Sequence, residues 1–226
     1  MFWGLVPVVA LNVLWQWSSL PSMPPRAAGS AGKAAGPLTL LKRRNVAFAM
    51  AGVMLTFAGA FAVFTYLRPF LETCTQVSVP QLSLLLLGLG RAGFAGTYGA
   101  SALVSGHLYR LLRWLALALG AMTIAMFAAG RILWAEGIVP IAWGMLNSAV
   151  PVAWSAWLAK GIGDEPESGG GLLVAAIQLS IMLGASFGGL LFDHVSIAAT
   201  LVGGAMHMVF ASLAIGNGGR LGARKR

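Results

Sequence analysis

Three polar side chains lie where the surrounding sequence is almost entirely apolar. Arg91 follows the run Ser83–Leu89, and Asn147 and Gln178 lie within two further apolar stretches. A guanidinium at the centre of a membrane span costs about 2.5–3.5 kcal/mol on insertion scales, and an unpaired amide there is also costly. We therefore expect these side chains to meet water, a solute or a polar partner.

Each of the three has an alternative interpretation. For Arg91 it is a helix that begins later, so that the side chain snorkels to the interface, but the apolar run before it argues against this. For Asn147 and Gln178 it is hydrogen bonding between helices, worth about 0.6 kcal/mol per contact. Pathway lining and interhelical bonding stay equally open for the two amides.

Three aromatic side chains complete the candidate pathway. Trp154 shares a helix face with Asn147, and its ring offers a flat apolar wall against which a sugar or a base could stack. Phe61 lies on the face of an earlier span that also carries Arg68, with Tyr66 beside it. Tyr66 and Arg68 could instead anchor the outer membrane interface.

Two motifs have chemical meanings that the sequence around them does not support. Gly88, Gly90 and Gly93 spell GxGxxG, but no strand precedes them and they lie inside an apolar span, so we expect helix packing, as for Gly184 and Gly188. The GxGD at 161–164 would need a second acid at membrane depth to be a protease site. With a single cysteine and no nucleophile or metal-ligand cluster, we predict no enzyme, no cofactor and no metal site.

Composition indicates the membrane as the surroundings of the chain. Hydrophobic residues make up 58% and charged residues 9%, whereas soluble domains carry about 25% charged residues. Mean hydropathy is +0.81. A net charge of +9 would suggest nucleic acid in a soluble protein, but here the basic residues fall mostly between apolar runs. The lipid bilayer, and not nucleic acid, is the expected partner.

Seven apolar segments are long enough to cross a bilayer, which needs about 20 residues each. We predict an all-α polytopic membrane protein with a first span at 3–20, a basic cytoplasmic linker at 21–44, a six-helix bundle at 45–216 and a basic cytoplasmic tail at 217–226. The spans expected in the bundle are 45–67, 80–104, 114–134, 137–160, 170–192 and 195–216.

The distribution of basic residues predicts the orientation. If the linker is cytoplasmic, 12 of the 15 Lys and Arg residues fall on that side. Because cytoplasmic loops are enriched in Lys and Arg, we expect the C-terminus to be cytoplasmic, in a plasma membrane of the bacterial inner-membrane type.

Two ordered stretches resemble a known family. PVAWSAWLAKGIGDEPESGGGLLVAAIQL followed by GASFGGLLFDH, from Pro151 to His194, is similar to the tenth and eleventh helices of the major facilitator superfamily. FAGAFAVFTYLRPFLE, at Phe57–Glu72, resembles the end of the seventh helix. The nearest likeness is to the drug:proton antiporter branch that exports sugars and purine nucleosides.

The resemblance implies secondary efflux of a small solute, such as a sugar, nucleoside or drug, with proton antiport. It also implies that residues 3–20 match the sixth helix and 45–216 the C-terminal bundle. We therefore expect a C-terminal half or fragment whose partner is a missing N-terminal half or a second copy. The alternative is a non-transporting membrane remnant or interaction subunit.

Two features depart from the family. No Asp or Glu lies deep in a predicted span, and His207 is the other titratable candidate there, so a proton carrier is expected in the missing half. The stretch Ala102–Gly106 lacks the Asp-Arg pair of the family loop, although Arg110 and Arg113 remain.

Overall fold

The computed structural model describes residues 6–19, 37–75, 77–129 and 133–222. The chain divides into two compact units, Met1–Ala34 and Ala35–Arg226. The first unit contains helix α1, Val6–Ser19, which lies within the predicted span 3–20. The rest of that span lies outside the described residues.

The second unit is a bundle of long apolar helices. A short 3-10 helix is followed by five α-helices, and no strand occurs in the described part of the chain. All five are long and apolar enough to cross a membrane. The protein is thus an all-α membrane protein, as predicted. The elements are the 3-10 helix Pro37–Lys42, α2 Arg44–Thr73, α3 Val79–Ala129, α4 Leu133–Gly161, α5 Pro166–His194 and α6 Ile197–Ile215.

Helix α3 consists of two helices. Its 51 residues would reach about 75 Å at 1.5 Å per residue, more than twice the hydrocarbon thickness, and non-helical backbone at His107 divides the run in two. The division falls between the spans expected at 80–104 and 114–134. The second helix begins earlier than expected, because Leu108 and Leu112 are buried and hold that segment in the helix.

Helix α2 is central to the bundle. Its most apolar stretch of 18 residues is 61% buried inside the bundle, whereas the corresponding stretch of α5 is 28% buried. It packs closely against α6 and α5 through glycines: a Cβ added at Gly59 would lie 2.7 Å from the Gly204 carbonyl oxygen, and one at Gly184 would overlap the backbone of Ala58. The packing role expected for Gly184 is confirmed.

The glycines of α3 also bring helices together. Cβ atoms at Gly93 and Gly96 would clash with Ser148 and with the Met145 carbonyl on α4, whereas Gly90 faces open space. The GxGxxG motif is therefore a helix-packing surface along part of its length. This follows the general use of small residues where membrane helices approach closely.

Tryptophans fill the interior around α4. Trp143, Trp154 and Trp157 are all at most 1% exposed. The indole of Trp143 donates to the Thr123 hydroxyl at 3.1 Å, and that of Trp157 donates to the Leu221 carbonyl at 3.2 Å. These hydrogen bonds tie α4 to α3 and to the segment that follows α6.

Candidate functional site

Arg91 lies on an exposed face of α3. Phe94 and Tyr98, both 81% exposed, follow it at helical spacing on the same side. Arg91 has no hydrogen bond or ion pair within the described ranges. The described part of the bundle therefore supplies no polar partner for this guanidinium.

The two amides differ in burial. Gln178 is exposed on α5, two residues from the buried Ser180, and Asn147 is half-buried on α4. Neither side chain has a hydrogen-bond partner among the described residues. The interhelical bonds that were one interpretation of these amides do not form among the residues that the structure describes.

Trp154 lies inside the bundle. Its ring is 1% exposed, edge-on to Trp157 at 6.1 Å, and a Cβ at Gly52 would lie 3.0 Å from it. The helix face that Trp154 shares with Asn147 is thus turned toward α2 at Trp154. In this conformation the ring fills the core and offers no free stacking wall.

Phe61 and Tyr66 both lie half-buried on α2. The ring of Phe61 meets that of Phe64 edge-on at 6.0 Å, and Phe64 stacks on Trp143 at 6.3 Å. The Tyr66 hydroxyl donates to the Ala185 carbonyl on α5 at 3.3 Å. Tyr66 therefore joins two helices.

The structure does not bring the six candidates together. No hydrogen bond or ring contact joins any two of the following within the described part of the chain: Arg91, Asn147, Trp154, Gln178, Phe61 and Tyr66. Arg91 and Gln178 are the two that remain exposed and unpartnered. Their role in a solute pathway stays a prediction.

One charged cluster was not predicted from the sequence. Arg43, just before α2, donates to both carboxylate oxygens of Asp164 at 2.7 and 3.0 Å and to Oε1 of Glu165 at 2.6 Å. Beside this cluster the Asn45 amide donates to the Gly161 carbonyl at 3.4 Å. We call Arg43, Asp164 and Glu165 the ion-pair clasp.

The clasp is part-buried. Glu165 is 24% exposed, and its Oε2 is buried without a hydrogen-bond partner in the described structure. Hydrogen bonds from the Arg43 guanidinium lower the pKa of the Asp164 carboxyl below its ordinary value of 3.8. The clasp fixes the start of α2 against the loop between α4 and α5. The sequence does contain one indication of the clasp: Arg43 and the acidic loop with Asp164 and Glu165 are predicted to lie on the same side of the membrane.

Long apolar helices, close glycine packing and a few polar side chains without partners in the described residues define a multi-pass α-helical membrane protein. Comparison with curated proteins identifies individual relatives of the chain. The chain is 38% identical over 214 residues to the transcription regulatory protein OpdE of Pseudomonas aeruginosa, covering 93% of this chain and 53% of that protein.

It is also 32% identical over 207 residues to the purine ribonucleoside efflux pump NepI of Shigella sonnei, covering 91% of this chain and 51% of the pump. The NepI protein of Salmonella enteritidis shows the same identity. The chain spans about half the length of the curated relatives it matches. No family model matches the chain, and no solved structure matches it. The efflux-pump relatives agree with the transporter resemblance seen in the sequence.

Proposed function

We propose that this chain forms one helical bundle of a secondary efflux transporter of the major facilitator type that exports small polar solutes, purine ribonucleosides among them. The observation that carries the proposal is the 32% identity to an efflux pump across 91% of the chain. The exposed and unpartnered Arg91 and Gln178 support it, because a solute pathway would supply the polar contacts that the bundle lacks.

In this mechanism the solute binds near the membrane midplane between this bundle and a second one. Rocking of the two bundles then exposes the solute to alternate sides. Arg91 and Gln178 would donate hydrogen bonds to the hydroxyl and ring acceptors of a nucleoside. Proton antiport would take its titratable group from the second bundle, since Glu72 and Asp193 lie at the ends of α2 and α5. The His207 ring is packed edge-on against Phe187, with Nδ1 2.8 Å from the Gly203 carbonyl oxygen.

The test is reconstitution with and without a second bundle. The chain is expressed alone or with the N-terminal half of NepI, and efflux of radiolabelled inosine is measured from vesicles. We expect efflux only with both halves. Arg91→Ala and Gln178→Ala should each lower the rate about tenfold, equivalent to about 1.4 kcal/mol, at unchanged membrane abundance.

Two results would contradict the proposal. One is the absence of efflux from a complex whose halves co-purify. The other is efflux by the chain alone, which would indicate pairing of two identical bundles instead. Ser101→Ala, an exposed position on the same helix as Arg91 whose hydroxyl bonds its own helix backbone, is the matched control and should transport normally.

A regulatory or interaction subunit is the second candidate. It is favoured by one observation, the 38% identity to a protein named as a transcription regulatory protein. Deleting the gene and measuring transcripts separates the two. If transcript changes are reversed equally by the wild-type chain and by Arg91→Ala, while nucleoside efflux is unaffected by the deletion, the subunit interpretation replaces the transporter.

A further inference from the structure

A basic cavity lies between the second part of α3 and the end of α6. It has a volume of about 420 Å³ and is lined by Arg110, Arg113 and Trp114, among others. A second cavity of about 340 Å³ shares Arg113 with it and adds Arg220. We call the two together the basic pocket. Their volumes fall in the range of small-molecule sites.

A glycine turn builds the pocket. Gly216 ends α6 with a positive φ of 58°, and Gly218 follows with a φ of 85°. A Cβ at Gly218 would lie 2.5 Å from Cβ of Tyr109, so the turn packs directly on α3. This places the Asn217 side chain where its amide oxygen accepts a hydrogen bond from Arg113.

The positive charge in the pocket is not neutralised. No Asp or Glu lines either cavity in the part of the chain that the structure describes. Arg113 is held by a neutral amide, and Arg220 lies over the Phe48 ring at 5.2 Å. Arg110 is exposed and has no described partner.

The pocket also lies where two membrane-length helices end, at a predicted membrane boundary. The break in α3 at His107 is one helical turn or less from Arg110, and α6 ends at Ile215. One turn further into α3, the Trp114 ring is 65% exposed. The arginines lie closer to the helix ends than the exposed tryptophan does. This order matches that of a bilayer, in which the headgroups lie outside the acyl chains.

We propose that the basic pocket binds the headgroup of an anionic phospholipid. Arg110 and Arg220 would contact the phosphate, while an acyl chain lies along Trp114. Basic pockets between membrane helices on the cytoplasmic side are suited to anionic headgroups, and this is the side that the Lys and Arg distribution predicts for the pocket.

Native mass spectrometry of the purified chain in neutral detergent tests this. Phosphatidylglycerol is titrated against phosphatidylcholine with the same acyl chains, and lipid-bound species are counted. We expect the first bound phosphatidylglycerol to be preferred about tenfold. Arg110→Gln alone should weaken it about fivefold, and Arg110→Gln with Arg220→Gln by tenfold or more.

The matched control is Lys42→Gln with Lys160→Gln. It removes the same charge from exposed positions on the same predicted side, outside the pocket lining. Its affinity should change less than twofold. Equal losses in the two double variants, or no preference for the anionic headgroup, would overturn the proposal.

A soluble phosphate is distinguished in the same experiment. Glycerol 3-phosphate carries the headgroup chemistry without acyl chains and should not displace the lipid at equal concentration. Displacement would show that the pocket takes a soluble phosphate compound and not a lipid. Arg110→Gln keeps the test valid if the double variant fails to fold, because Arg110 has no described contact to lose.

Discussion

The ion-pair clasp and the basic pocket lie on the same predicted side of the membrane, yet they treat positive charge in opposite ways. In the clasp, one arginine meets two carboxylates within 3.0 Å. In the pocket, three arginines have no described acid around them. The comparison shows that the basic residues expected to set orientation have different surroundings: Arg43 joins the start of α2 to the loop between α4 and α5, whereas the pocket arginines have the free charge that the proposed lipid site requires.

The largest expected effect concerns the side on which both surfaces lie. With Cys74→Ser, cysteines introduced as Glu167→Cys, beside the clasp, and Gly222→Cys, beside the pocket, should both be fully protected from an impermeant thiol reagent in intact cells. The reason is the excess of Lys and Arg on that side. Labelling is read on gels after the cells are lysed.

The exposed Cys74 of the unaltered chain is the control. It follows α2 at the opposite predicted end and should label from outside. Labelling of one introduced cysteine but not the other would place the clasp and the pocket on different sides and end the comparison.

The next effect is the loss of the clasp on charge reversal. Arg43→Glu places a third carboxylate beside Asp164 and Glu165, and should lower stability by about 1–2 kcal/mol, because the pairs are charge-assisted but part-exposed. For a chain of this length that is about 2–8 °C in melting temperature. Circular dichroism in detergent measures it.

Lys42→Glu reverses a neighbouring exposed charge and should change the melting temperature much less. Adding Glu165→Arg to Arg43→Glu should recover part of the loss, since the pair is restored with its signs exchanged. A double variant that is less stable than Arg43→Glu would show that the clasp does not contribute through charge.

The smallest effect is the pH dependence of the clasp. The pKa of Asp164 is lower in the folded protein than its ordinary 3.8, so its contribution is fully present above that value and is lost as pH falls through the folded pKa. Wild type should exceed Asp164→Asn by less than about 1 kcal/mol near pH 6, because the side chain is 60% exposed, and the difference should shrink as the pH falls below the ordinary pKa of 3.8.

Melting curves between pH 6 and pH 3 measure the difference. Arg110→Gln should differ from wild type by a constant amount over this range, because no described carboxylate lines the pocket. A pH-dependent difference for Arg110→Gln would show that an acid is coupled to the pocket after all.

The helical class and the close packing could be predicted because they depend on local sequence. Runs of apolar residues specify spans, and small residues at Gly96 and Gly184 permit close approach. The depth of Arg91 is predicted in the same way, from the apolar run before it, and stays a prediction. The helix after His107 begins before 114, where the second span was expected, because Leu108 and Leu112 pack into the bundle although Arg110 and Arg113 beside them are typical of a loop.

The placement of Trp154 and the clasp could not be predicted for a different reason. Helical period puts Trp154 on the Asn147 face, but both faces of a membrane helix are apolar, so the period does not say which one meets a neighbouring helix. Arg43 and Asp164 are separated by 121 residues, and their pairing depends on how α2 packs against the loop between α4 and α5. Sequence alone contains the charges but not that contact.

The hydrogen bond from the Trp157 indole to the Leu221 carbonyl has a consequence for biosynthesis. Leu221 is synthesised 64 residues after Trp157. At about 5–20 residues per second, translation of that interval takes roughly 3–13 s. During this time the indole N–H has no acceptor from Leu221, while α5 and α6 are still being made. This tie between α4 and the segment after α6 therefore forms only once α6 has been translated, whereas the Trp143–Thr123 bond to α3 can form earlier.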